Sequence, residues 1–130
     1  MFLYAFAFNL VVFLPRAALA DDDVPFKRNA CFTIGVLFLK GGEASHPYYA
    51  DALKLLLPIV KIDFSSPEAK KMAEAARMIS DDERAVEGLR DNAASAIGKM
   101  ILIGPHKLDL KAVRRSANQR WSDAIFSRCL

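Results

Sequence analysis

The side chains able to do chemistry in this sequence are few and scattered. His46 and His106 each stand beside a proline. Neither has an acid or a second ligand at a spacing that would hold a metal. No His-Glu-x-x-His, EF-hand loop or Cys/His cluster is present. Both histidines are therefore expected to be structural loop residues, and no metal site is expected. Cys31 and Cys129 are the only cysteines. They are too far apart for a Cys-x-x-Cys redox motif, and no Gly-x-Ser-x-Gly nucleophile signature occurs. Gly98-Lys99 resembles the end of a phosphate loop, but the preceding Gly88 is ten residues back instead of five. Asp81, Asp82 and Glu83 are contiguous, so on a helix they point different ways around the axis. Their expected role is to cap a helix start. The sequence nominates no catalytic residue and no cofactor.

Two groups of residues suit binding better than catalysis. Towards the C-terminus Lys107, Lys111, Arg114, Arg115, Arg120 and Arg128 are opposed only by Asp109 and Asp123. Lys111, Arg114 and Arg115 share one helix face, opposite Val113, Ala117 and Trp121. That face could meet an anionic partner, lipid headgroups or a cell-wall polymer. The second group is Tyr48, Tyr49 and Trp121, which could line an aromatic pocket.

Helices must position these residues. Residues 30–39 are apolar on every side, and periodicity alone does not separate a central helix from a buried strand. Helical neighbours favour the helix, with residues 24–29 as a polar lead-in. Ser45 and Pro47 suggest a second helix start. Tyr48, Tyr49, Ala52, Leu53, Leu56 and Leu57 form its stripe, and Pro58 should end or kink it. Ser66-Pro67-Glu68 opens a third helix, with Ala69, Met72, Ala76 and Ile79 inward. Ser80 to Glu83 marks a boundary that includes a capping box. The stripe Val86, Leu89, Ala93, Ile97, Met100 and Ile101 follows, ended by Gly104-Pro105. A last helix starts near Leu108 or Asp109, with Leu110, Val113, Ala117, Trp121, Ile125 and Cys129 on one side. The expected fold is all-α, a small bundle of four to five helices. The alternative is α+β with short strands at 31–39 and 99–103.

The first fourteen residues are apolar except for Asn9, too short a run to span a membrane. Pro15 and Arg16 interrupt it, and Ala18-Leu19-Ala20 supplies a small-x-small cleavage pattern. Residues 1–20 are therefore expected to be a signal peptide, and residues 21–130 one helical domain. No Lys or Arg precedes the apolar core, a departure from the standard signal. If the segment stayed uncleaved it would tether the protein to a membrane. The net charge of +3 loses only Arg16 on cleavage, too small a balance to argue for nucleic acid. Two cysteines in an exported domain suggest one disulfide, Cys31–Cys129. Both fall on apolar stripes facing one core. Closing such a loop would contribute roughly 4–5 kcal/mol.

A cysteine in the first mature helix (Ala30-Cys31-Phe32) and another at the end of the last (Arg128-Cys129-Leu130) resemble the layout of small α-helical proteins of the bacterial periplasm. That resemblance implies a location and a fold but no activity. Exported all-helical chorismate mutases are similar in class, and their chemistry would need an Arg- and Lys-lined pocket with a Glu or Gln. Arg77, Arg84, Arg90 and Lys99, with Glu83 and Glu87, supply the residue types, but most project from polar faces. The sequence thus leads to an exported, non-enzymatic binding or interaction module of the cell envelope. The alternative is a small periplasmic enzyme or ligand carrier with the aromatic pocket. Intact mass spectrometry of the exported protein should give a chain starting at Asp21, two hydrogens light until reduced. A full-length chain with two alkylatable thiols would contradict both expectations.

Overall fold

The computed structural model describes residues 23–79 and 83–116. Among them every regular element is helical and no strand forms. Helix α1 spans Val24–Gly41 and runs into a 3-10 helix at Gly42–Tyr48. Helix α2 is Tyr49–Val60, α3 is Pro67–Ile79 and α4 is Ala85–Ile103. A 3-10 turn at Pro105–Lys107 leads to α5, Leu110–Ser116.

Among the described residues the most extensive contact is between α1 and α4. Asn92 Nδ2 donates to the Arg28 carbonyl at 3.1 Å. Further along, a Cβ on Gly35 would lie 3.1 Å from Ala96 Cα and 3.3 Å from Lys99 Cδ. Beyond the helix ends, Gly104 lies against the His46 ring. The partners advance together along both chains, so α1 and α4 run parallel. Parallel neighbours cannot be joined by a short turn, and α2 and α3 supply the return. Both pack on α4, and α5 packs on α2. The core is built from Cys31, Phe38, Tyr49, Leu56, Leu89, Ile97, Met100 and Val113, all essentially without exposure.

The α4 stripe is buried as the spacing predicts, from Val86 to Ile101. The alternative strands are not formed, since 31–39 lies inside α1 and 99–103 inside α4. In α1 the buried residues are Val24, Ala30, Cys31, Ile34, Gly35 and Phe38, a helical spacing. Helical packing thus decides the assignment over β-branched composition. Residues 24–29 form the first turns of α1 and are not a lead-in. Asp23 Oδ1 accepts from Phe26 N at 2.9 Å, and Pro25 fits a first turn.

Ser45 does not start α2. Its hydroxyl donates to the Gly42 carbonyl at 2.6 Å within the 3-10 segment, and the α-helix begins at Tyr49. Pro58 neither ends nor breaks α2, which continues to Val60. It sits in the last turn on the exposed side, so the carbonyl it leaves without an amide partner is near water. Ser66 caps α3 as expected, accepting from Ala69 N at 3.1 Å. Ile79 departs from its stripe and is 59% exposed. Ser80 lies outside the described residues. Helix α4 begins five residues later, at Ala85, with Arg84 at the cap position and no side-chain cap bond.

The α1–α4 approach depends on the missing side chain at residue 35. Gly35→Val should cost about 1–3 kcal/mol by overpacking the seam. Thermal unfolding should read this as a fall of roughly 4–8 °C per kcal/mol. An unchanged midpoint would show that the helices are not in contact there.

Candidate functional site

Helix α5 carries the basic group. Asp109 caps it, accepting from Ala112 N at 3.0 Å. Val113 is fully buried and turns the helix over, so that Lys111, Arg114 and Arg115 are exposed together. Lys107 is exposed just ahead of them. Arg120, Arg128 and Trp121 lie outside the described residues.

The two tyrosines lie in packed surroundings. Tyr49 is wholly buried, its ring 5.1 Å from Phe38 and 5.2 Å from His46, and Tyr48 is half-buried against the same core. Burial raises the Tyr49 phenol above its ordinary 10.0, and the adjacent Ser45 hydroxyl pulls it partly back. That hydroxyl completes no well-directed bond with Tyr49 Oη. His46 in turn meets His106, with ring centroids 5.4 Å apart and planes at 88°. These two histidines are sixty residues apart in the chain, and no spacing rule could pair them.

The described residues open a cleft elsewhere, of about 280 Å³, lined by Arg28, Arg84, Glu87, Gly88 and Asp91. The Arg28 guanidinium lies on Gly88, where a Cβ would be 2.8 Å from its Cζ. Arg84 Nε pairs with Glu87 Oε2 at 2.7 Å, largely in solvent. Such an exposed pair contributes little to stability. Arg90 turns away to cover the Phe64 ring at 4.1 Å, and Lys99 reaches over Phe32 at 5.5 Å. The Arg and Lys residues that a mutase pocket would gather therefore point to different places. Arg28 was not singled out by the sequence, and Gly88 only as a misplaced phosphate-loop glycine, because the seam that joins them is a tertiary contact. Among the described residues no group of three or more His, Cys, Asp or Glu could hold a metal.

Among the described residues Cys31 has no disulfide partner and is fully buried in the core, and Cys129 lies outside them. Burial pushes the Cys31 thiol from 9.0 up to about 12, with Lys27 pulling weakly the other way. From pH 9 towards 12 an unfolded chain releases a proton that the folded one keeps. While the thiol is free, stability is intact below pH 9 and falls as pH rises above it, by up to about 1.4 kcal/mol per pH unit. Urea midpoints under reductant at pH 8 and pH 10.5 should show this fall, and Cys31→Ala should lessen it. Equal falls in both proteins would contradict the buried thiol.

No known protein family, curated protein or solved structure matches the chain.

Proposed function

We propose that this chain is an exported, non-enzymatic interaction module of the bacterial cell envelope, which presents the basic face of α5 to an anionic partner. The observation that carries the reading is the outward grouping of Lys111, Arg114 and Arg115 around the buried Val113. Anchoring by Val113 fixes the helix face, so the cations form one patch instead of three independent side chains. Clustered cations attract an anionic surface at long range and lose strength with salt. Export rests on the apolar residues 1–14 and on Ala18-Leu19-Ala20. Among the described residues no helix is long and apolar enough to cross a membrane. The partner in this reading is an anionic envelope component or an acidic protein surface. Nucleic acid is not proposed, given the small net charge.

The Cys31–Cys129 disulfide belongs to the same reading. A thiol this buried and this poorly ionised is a weak nucleophile. The bond would therefore form before the core closes, during oxidative folding after export.

The test is cosedimentation of the mature protein with phosphatidylglycerol vesicles and with phosphatidylcholine vesicles, over a range of salt. Binding to the anionic vesicles alone, weakened by salt, is expected. The triple variant K111E/R114E/R115E should lose roughly 1 kcal/mol per reversed cation near the surface. Undiminished binding by that variant would remove α5 as the docking face.

A further inference from the structure

Helix α1 is apolar on both its sides, a pattern that belongs to a helix covered all round. Its inward side is covered by the core, through Cys31, Ile34 and Phe38. Its outward side is not. Phe32 is 56% exposed, Leu39 is 36% exposed, and Val36 between them is half-buried. Steps of four and three residues put these three on one helix face. Helix α4 adds Leu102, 63% exposed. The register at Gly35, against Ala96 and Lys99, brings Leu39 and Leu102 to the same level on either side of the seam. Neighbouring exposed apolar side chains of this size mark a surface that meets a partner.

The charges around the patch select that partner. Residues 24–42 and 92–108 hold Lys27, Arg28, Lys40, Lys99 and Lys107, and no Asp or Glu. Lys40 and Lys107 are exposed at the end of the molecule where Leu39 and Leu102 lie. Lys99 passes its apolar stem over Gly35 and holds its Nζ 5.5 Å from the centroid of the Phe32 ring. The carboxylates of α4, on Glu87 and Asp91, lie back towards its other end. Aromatic and aliphatic side chains interleaved with lysines alone are the composition of a face that rests on anionic lipid. A second copy of the chain suits it poorly. A two-fold contact pairs each patch with itself, so Lys40 and Lys99 would meet their own counterparts.

We propose that the outward face of α1 and α4, built from Phe32, Val36, Leu39 and Leu102, docks on an anionic lipid surface. The apolar side chains enter the boundary between headgroups and acyl chains, and Lys40 and Lys99 meet the lipid phosphates. The helices lie along the surface, since no described helix is long and apolar enough to cross a membrane. Apolar burial supplies most of the affinity, so this contact outlasts the salt that screens the cations of α5. The inference does not rest on the reading of α5.

The test places the full chain in phosphatidylglycerol-rich bicelles that carry a lipid spin-labelled on its acyl chain. The methyl resonances of Val36, Leu39 and Leu102 should broaden. Those of the buried Ile34 and Ile97, and of Leu110 on α5, should stay sharp. The variant F32S/L102S, changed at two exposed positions, should keep the wild-type melting temperature and bind phosphatidylglycerol vesicles roughly tenfold more weakly or worse. The same loss should appear when F32S/L102S is added to K111E/R114E/R115E, which separates this face from α5. Broadening of Leu110 while Val36, Leu39 and Leu102 stay sharp would overturn the proposal and leave the reading of α5 standing. Wild-type affinity in F32S/L102S, or equal wild-type binding to phosphatidylcholine vesicles, would also overturn it. A dimer in lipid-free buffer that F32S/L102S dissolves would give the face to a second copy instead.

Discussion

Two packed parallel helices come closest where one of them gives up a side chain in the seam. In this chain that place is Gly35, against Ala96 and the stem of Lys99. The approach buries Cys31, Ile34 and Phe38 from one helix with Leu89, Ala93, Ile97 and Met100 from the other. Apolar contact of this kind is the main favourable term in the fold. The remaining helices are arranged around it. Helices α2 and α3 make the return that parallel neighbours require, and α5 docks Val113 onto the finished core.

A parallel pair also sorts the molecule's polar groups by end. At the N-terminal end Asn92 holds the Arg28 carbonyl, and the Arg28 guanidinium lies on Gly88 beside the Arg84–Glu87 pair. At the other end the chain leaves both helices through 3-10 segments, and their histidines meet. An antiparallel pair would have put His46 near the start of α4, far from His106.

Much of the helix content was legible in the sequence. The α4 stripe from Val86 to Ile101 needed only periodicity, and Ser66 marked the start of α3. Local signals failed where a tertiary contact outweighed them. Residues 31–39 read ambiguously because their helical register is set by Gly35 meeting α4. Pro58 reads as a stop signal, yet it costs α2 little in an exposed last turn. The start of α1 was missed although Asp23 and Pro25 are ordinary start signals, because the polar residues 24–29 resembled a linker. Of the candidate binding residues, the α5 cations were found by spacing. The pairing of His46 with His106 was not, since it connects two ends of the chain through the fold alone. Tyr49 was noted as a possible pocket residue and is instead packed between Phe38 and His46.

The most direct measurement is the direction of α1 relative to α4, read by electron spin resonance distances between labelled pairs at exposed sites. One pair is Asn29 with Asp91, and the other is Lys40 with Leu102. A parallel pair predicts that both distances are short, close to the interaxial spacing of about 8–10 Å plus the label tethers. A Lys40–Leu102 distance on the order of the roughly 25 Å length of the helices, with Asn29 and Asp91 moved about 10 Å apart along the axes, would mean an antiparallel pair. That result would contradict the seam, the corner it creates and the placement of α5.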